Sequence, residues 1–451
     1  MKNLMIGVSG VRGIVGETLT PEMLTRLGAA FGTYMNGGTV VIGRDTRTSG
    51  PMIKHSVLAG LLSTGCNVID LDICTTPSCQ IMIEELKADG GIVISGSHNP
   101  AEWNALKFFR SDGIYLNNVQ AQELMNIFYQ GDFHKATWNE IKTVRTDNST
   151  IERHINRILK TVKTDLIKSK KIKVVLDSCN GAGSIITPIL LETLGCELIK
   201  LHCEPNGFFP HNPEPTFVNL DDISLKVVEV GADIGFAQDA DADRMAIISE
   251  KGEILGEEYS ISLVCDHILK TRKGTVVTNL STTRAVDDIA RKYGCEVIRT
   301  PVGEVNVAEK MKEIKAVIGG EGNGGIIDPR IHYGRDSLIG IAIILEYIAE
   351  TGKRISELAD EIPKYYIEKK KIDCSRGNAT KFINALQEKY KNEKLTLIDG
   401  LRIDWADSWV HIRRSGTEPV MRIIAESKSK KKTVDLINSI LVEAENINLK
   451  E

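Results

Sequence analysis

The sequence predicts an α/β fold: three similar α/β domains with mixed, mainly parallel sheets, followed by a smaller C-terminal α+β domain. Three observations carry this. The chain has 451 residues, too many for one hydrophobic core and enough for roughly three or four domains of about 100 to 150 residues. One strand–helix–strand unit recurs three times with the same punctuation. The last stretch, from residue 366, changes to short alternating segments.

The first copy of the repeat begins at Thr39-Val40-Val41-Ile42-Gly43, the second at Lys173-Val174-Val175-Leu176-Asp177 and the third at Thr275-Val276-Val277-Thr278-Asn279. A polar loop and a segment of helical period follow each, and then Gly-Cys opens a second strand at Gly65-Cys66, Gly195-Cys196 and Gly294-Cys295. Apolar spacing such as Ile186, Leu190, Leu194 suits a buried helix face, and Gly stands where a helix C-cap wants it. Strand–helix–strand in one sheet implies parallel pairing. Polar breaks at Asp147-Asn148-Ser149-Thr150 and Lys251-Gly252-Glu253 predict domains over 1–150, 151–255, 256–365 and 366–451. In the last of these, Leu395-Thr396-Leu397-Ile398, Arg402-Ile403-Asp404 and Trp409-Val410-His411-Ile412 read as antiparallel strands, closed by a helix near 433–445.

Composition excludes several classes of function. With 42% hydrophobic and 26% charged residues the chain has the balance of a folded globular protein. A net charge of −4 lacks the basic excess that nucleic-acid binding needs, and the run at 428–432 reads as a solvated helix face. The longest apolar run, 338–345, is far short of a membrane span. Nine cysteines form no C-x-x-C pair and read as small core residues in a reducing compartment. A soluble, cytoplasmic protein is expected.

Chemistry concentrates in loops that follow strands. Gly90-Gly91-Ile92-Val93-Ile94 is a strand stopped by Ser95-Gly96-Ser97-His98-Asn99-Pro100, so Ser97 is expected to sit exposed just past its end. There its hydroxyl could be a nucleophile, a phosphate carrier or a turn former. His98 adjoins Ser97 with a side chain that diverges from it, and no G-x-S-x-G frame is present, so a Ser-His triad is not the natural reading. Asn104 and Lys107 lie close behind; Lys107 could approach the same site or be a surface lysine.

Asp239, Asp241 and Asp243, at spacing two, repel one another unless a hard divalent cation joins them, and oxygen ligands are what Mg²⁺ prefers. A solvated acidic loop is the plainer alternative. A calcium loop fails where Arg244 replaces the required Gly. The glycine-rich turn at 319–325 holds Glu321 and Asn323, which could hydrogen-bond sugar hydroxyls or simply sit in a connector. Arg413, Ser415, Gly416, Thr417 and Arg422 offer amides, hydroxyls and guanidinium forks suited to a phosphate dianion, though Ser-Gly-Thr is also a plain hairpin turn. Ser9 and Arg12 add a hydroxyl and a guanidinium near the start.

One such loop per domain suggests convergence on a central cleft. With all four in order, the chain resembles the α-D-phosphohexomutase superfamily over essentially its whole length. The resemblance implies a four-domain enzyme moving a phosphoryl group between the 1- and 6-positions of a hexose phosphate, with Mg²⁺ as cofactor and a hexose 1,6-bisphosphate as intermediate and activator. It implies that Ser97 carries the phosphate and joins Asp239, Asp241 and Asp243 as a metal ligand, that Arg244, His98 and Lys107 act at the reacting centre, and that Ser9, Arg12, Asn104, Glu304, Glu321, Asn323 and His332 touch substrate. An acid–base role for Lys107 would require a lowered pKa. Arg413, Ser415, Gly416, Thr417 and Arg422 would hold the phosphate that is not reacting. Gly96 stands where the family commonly has Ala, and Asn323 where Ser is common among bacterial members. The implied partners are small sugar phosphates, for a protein acting as a monomer or homodimer, and the resemblance is strongest to phosphoglucosamine mutases, with phosphoglucomutase/phosphomannomutase as the alternative.

Overall fold

The three sequence repeats form parallel strand pairs: Thr39–Arg44 with Asn67–Ile73, Lys173–Asp177 with Glu197–Leu201, and Val276–Asn279 with Val297–Thr300. These come from a computed structural model of the chain, which describes residues 5–7, 10–374, 376–415 and 420–446. The helix in each repeat is followed by a glycine in the left-handed region, Gly65, Gly195 and Gly294 with φ of 78°, 75° and 69°. Any side chain there would be strained, which is why the Gly-Cys signature recurs.

Each repeat then extends in the same way. A third strand pairs in parallel beside the first, as Gly90–Ile94, Ile234–Gln238 and Ile318–Glu321. A fourth runs back antiparallel to the third, as Trp103–Arg110, Met245–Ser249 and Gly325–Ile327. The order fourth–third–first–second is common to all three sheets, and the first sheet reaches seven strands by adding Met5–Gly7, Gly10–Ile14 and Val144–Thr146 at its edges. The turn between third and fourth strands therefore occupies an equivalent place in each sheet. It carries Ser97 in the first, the three aspartates in the second, and Glu321 with Asn323 in the third.

The remaining sheet has five antiparallel strands, in the order Tyr366–Asp373, Val420–Ser427, Ser408–Arg414, Leu401–Asp404 and Lys394–Thr396. The helices Arg376–Lys389 and Lys430–Asn446 supply Phe382, Leu386, Ile437 and Ile440 to its core. It docks on the third sheet through Arg284, which donates to the carbonyls of Ala406, Trp405 and Ser408, and through Ser281 Oγ, 2.8 Å from His411 Nδ1.

The apolar run 338–345 lies in the helix Ser337–Thr351 and is wholly buried. Its side chains share one core with Leu176 and Phe236 of the second sheet and Val276 and Ile318 of the third, so those two sheets pack as a single hydrophobic unit. The first and fourth sheets keep cores of their own. Among the described residues no helix is long and apolar enough to cross a membrane, and all nine cysteines are free.

Candidate active site

The turn after Gly90–Ile94 is shaped from beneath by Arg47, which is only 1% exposed. Its guanidinium donates to the carbonyls of Ser97 and Asn99 at 2.7 Å each, and to those of Pro100 and Trp103 at 2.7 and 3.0 Å. Asp45 fixes Arg47 from behind, accepting from its Nε at 3.0 Å and from Ser95 Oγ at 2.7 Å. Curled over this clamp, Ser97 takes φ of 50°, and its amide donates to Ser95 Oγ at 2.9 Å. A Cβ on Gly96 would stand 2.8 Å from Arg47 Cζ, so the departure from Ala at this position makes room for the clamp.

Ser97 is not exposed as the sequence led us to expect: it is 2% exposed. The acidic loop of the second domain covers it, and Ser97 Oγ donates to Asp239 Oδ2 at 2.9 Å. Asp239, Asp241 and Asp243 are fully buried with ligand atoms within 4.8 Å of one another. Burial and then the Asp243 and Asp241 charges push Asp239 well above the usual carboxylate range. Burial also opposes ionisation of the other two, but Lys107 holds Asp241, and Arg335 with Lys107 holds Asp243, below that range. Asp241 Oδ1 and Asp243 Oδ1 have no hydrogen-bond partner although sealed from solvent. A trio of carboxylates with orphaned oxygens is a donor set that fits Mg²⁺.

Several expected residues gather on this trio. Arg244 donates its amide to Asp239 Oδ1 at 3.2 Å, and its guanidinium lies 3.6 Å from Asp243 Oδ1. Arg12 reaches in from Gly10–Ile14 to the Asn99 side-chain oxygen. Burial, then Arg244 and Arg12, hold His98 well below its usual pKa, so it stands neutral with Nδ1 3.4 Å from Ser97 Oγ. Lys107 is buried at 2% exposure and paired with Asp241. Burial works to lower its pKa, but Asp241, Tyr115 and Asp243 outweigh burial and hold the ammonium above its ordinary range. These carboxylates therefore favour the charged ammonium at Lys107.

On the third domain's turn, Glu321 accepts from Asn279 Nδ2 at 2.7 Å, Gly303 N at 3.1 Å and Asn323 Nδ2 at 3.2 Å. Glu304 opens the helix Glu304–Ile314, accepts from Arg335 N at 3.1 Å, and is pushed up to about 7 by burial, with Arg335 opposing. On the fourth sheet, Arg413 and Arg422 stand directly opposite on neighbouring strands, where like charges repel. Burial lowers the Arg413 pKa and Arg422 adds to this, while Asp399 and Glu321 oppose it. A dianion between the two guanidiniums would relieve them. Ser415 is buried, and its amide donates to Val420 O at 2.9 Å. Ser9, Gly416 and Thr417 lie outside the described residues.

Asn104 and His332 have protein neighbours of their own. Asn104 Nδ2 donates to Ser49 Oγ at 2.9 Å and its oxygen accepts from Ala105 N, tying the strand Trp103–Arg110 to the start of the earlier helix Gly50–Ser63. His332 sits 3.4 Å from Asp336 Oδ2 and edge-on to His154, with both ring nitrogens buried and neither hydrogen-bonded.

Four family models match the chain in succession. They are phosphoglucomutase/phosphomannomutase alpha/beta/alpha domain I over residues 3–135, domain II over 152–252, domain III over 257–366, and the C-terminal domain over 370–441. The chain belongs to the phosphoglucomutase/phosphomannomutase family. It is 42% identical over 437 residues to a phosphoglucomutase/phosphomannomutase of Thermococcus kodakarensis, covering 95% of each chain. It is 41% identical over 436 residues to a probable phosphoglucosamine mutase of the same organism, covering 96% of each. A phosphoglucomutase/phosphomannomutase family protein of Burkholderia thailandensis has the same fold, with a TM-score of 0.86, 26% identity and 98% of each chain covered. The family's enzymes are phosphohexomutases, and this chain is an isomerase of that class.

Within this phosphohexomutase frame, Arg335 is a member of the site that its sequence position did not reveal. It pairs with Asp243 at 2.6 Å, Glu321 at 2.8 Å and Glu304 at 3.1 Å, linking the acidic loop to the glycine-rich turn. The only hint was its place three residues after His332. Arg335→Met would leave three buried acids without their shared cation, and kcat/KM is expected to fall about 10²–10³-fold. Arg335→Lys should restore little, since a point charge cannot serve three carboxylates as a fork does. Steady-state kinetics of both variants checks this.

Glu258 lies under Gly322 of the glycine-rich turn and accepts from Thr283 N at 2.9 Å, while its Oε1 is sealed without a partner. Enclosure raises its pKa from 4.5 to about 8, against the pull of Lys369. The folded state therefore holds this proton when the unfolded chain has lost it, and stability falls as pH rises from 4.5 to about 8. Glu258→Gln should flatten that slope, as measured by thermal unfolding across the window.

Proposed function

We propose that the protein interconverts hexose 6-phosphates and hexose 1-phosphates through a phosphoserine at Ser97 and a hexose 1,6-bisphosphate intermediate. The observation that carries this is Ser97 Oγ, 2.9 Å from Asp239 at the rim of three buried carboxylates. A bound Mg²⁺, held by Asp239, Asp241 and Asp243 with a phosphoserine oxygen, would supply charge neutralisation at the transferring phosphoryl group. Arg244 and Lys107 add positive charge beside it, and neutral His98 adds a ring nitrogen.

In the first half-reaction the free hydroxyl of the sugar attacks phosphorus, the bond to Ser97 Oγ breaks, and the hydroxyl proton is lost as the serine regains one. The bisphosphate turns round and returns its other phosphoryl group to Ser97, leaving the isomer. Arg413 and Arg422, with Ser415, Gly416 and Thr417, hold the phosphate that is not reacting, so one distal site serves both orientations. Glu321 and Asn323 read sugar hydroxyls, Arg335 sets their register to the metal loop, and Arg12 steadies the serine turn through Asn99.

Glucosamine phosphates are the substrates we assign, since a probable phosphoglucosamine mutase is 41% identical along nearly the whole chain. The 42% identical phosphoglucomutase/phosphomannomutase supports glucose and mannose phosphates as the second reading. The free thiols fit a reducing compartment such as the cytosol. Incubating the protein with Mg²⁺, a trace of hexose 1,6-bisphosphate and each of the three sugar monophosphates, then resolving the isomers, tests the proposal. Ranked kcat/KM values identify the sugar; release of inorganic phosphate alone, or no turnover with any of them, overturns it.

A further inference from the structure

A second cluster of metal-ligating side chains lies outside the Ser97 site. Asp177 ends the strand Lys173–Asp177, His202 follows Glu197–Leu201, and His211 lies further along the same loop. His202 Nδ1 is 2.9 Å and His211 Nε2 is 3.2 Å from the same oxygen, Asp177 Oδ2. Two of the three donor groups are oriented by a partner behind them. Asp177 Oδ1 accepts from Cys179 N at 2.8 Å, which aims Oδ2 at the two rings. His211 Nδ1 is 2.8 Å from the Asn212 carbonyl, which leaves Nε2 facing the carboxylate. A backbone carbonyl on the far nitrogen is the usual device for orienting a metal-bound imidazole. The two side chains remain 20% and 15% exposed, so an ion can enter.

We propose that Asp177, His202 and His211 bind a divalent transition-metal ion of the zinc class, at a site distinct from the three aspartates beside Ser97. Ligands about 2.0–2.2 Å from a tetrahedral zinc stand roughly 3.3–3.5 Å apart, so each histidine nitrogen needs to open from Asp177 Oδ2 by only a few tenths of an ångström, and all three donors already lie within 4.8 Å of one another. Two imidazoles and one carboxylate favour zinc, cobalt or nickel over Mg²⁺, and a water completes the set. The cluster of His267, Glu346 and Glu350 differs, since Lys163 already donates its amide to Glu346 and its ammonium to Glu350.

The site has a structural consequence. Thr46 Oγ1 donates to Asn180 O at 2.8 Å, Asn180 Nδ2 to Phe208 O at 2.9 Å, and the Phe209 ring lies 4.8 Å from the Arg47 guanidinium. An ion joining Asp177 to His202 and His211 thus fastens the loop that packs against the clamp of the serine turn.

Titrating Co²⁺ into the full chain in excess Mg²⁺, with visible absorption as the readout, tests the site. One equivalent is expected to bind, to be displaced by Zn²⁺, and to persist in Asp241→Asn. His202→Gln and His211→Gln should each weaken it at least about 10-fold while circular dichroism stays unchanged. Absence of binding under excess Mg²⁺, which would leave a hydrogen-bonded His–Asp–His network only, overturns the proposal. So does binding that the histidine variants leave untouched.

Discussion

Ser97→Ala is expected to lower kcat/KM for hexose-phosphate isomerisation by about 10⁴-fold or more, the scale on which loss of a covalent nucleophile acts. The other serine of the turn cannot take its place. Ser95 is fully buried, donating to Asp45 and accepting from the Ser97 amide. The variant should fold as the parent does, because the turn is held through backbone carbonyls by Arg47 and not through the serine side chain. Kinetics together with circular dichroism therefore separates a chemical loss from a structural one. Activity within tenfold of the parent, in a folded variant, would remove Ser97 from the mechanism.

Arg47→Ala is expected to produce the largest loss of stability. Four carbonyls of the serine turn lose their donor, and Asp45 becomes a buried charge without its cation. Burial already raises the Asp45 pKa, and Arg47 is the first group opposing that rise. Breaking such a pair costs about 3–5 kcal/mol, a fall of roughly 10 °C in the apparent Tm of a domain this size. A double variant, Asp45→Asn with Arg47→Met, should recover much of the Tm, since no charge is stranded. It should not recover activity, because the turn still lacks its clamp. Differential scanning calorimetry and a mutase assay on both variants distinguish these outcomes.

The parts legible in the sequence are those whose chemistry is local. Parallel strand pairs announce themselves through β-branched runs and the glycines at 65, 195 and 294, whose left-handed φ leaves a signature in the chain. The acidic trio is legible because three like charges at spacing two demand an explanation. What is illegible depends on partners far along the chain. Arg47 meets Ser97 across 50 residues and Arg335 meets Asp243 across 92, so neither spacing nor composition joins them. Ser97 looks exposed when its own strand is considered alone and is buried because another domain closes over it. Lys107 likewise cannot be assigned a charge state from its neighbours in sequence; Asp241 and Asp243 set it from across the cleft. Asn104 sits in a suggestive segment, yet the helix start at Ser49 takes its side-chain amide.

The central claim is that the phosphoryl group resting on Ser97 passes to the sugar. Protein carrying ³²P on Ser97, confirmed by peptide mapping, can be mixed with unlabelled hexose monophosphate and Mg²⁺ and quenched within one turnover. The label should leave the protein and appear first in hexose 1,6-bisphosphate. Label that stays on the protein, or emerges as inorganic phosphate, would contradict the mechanism.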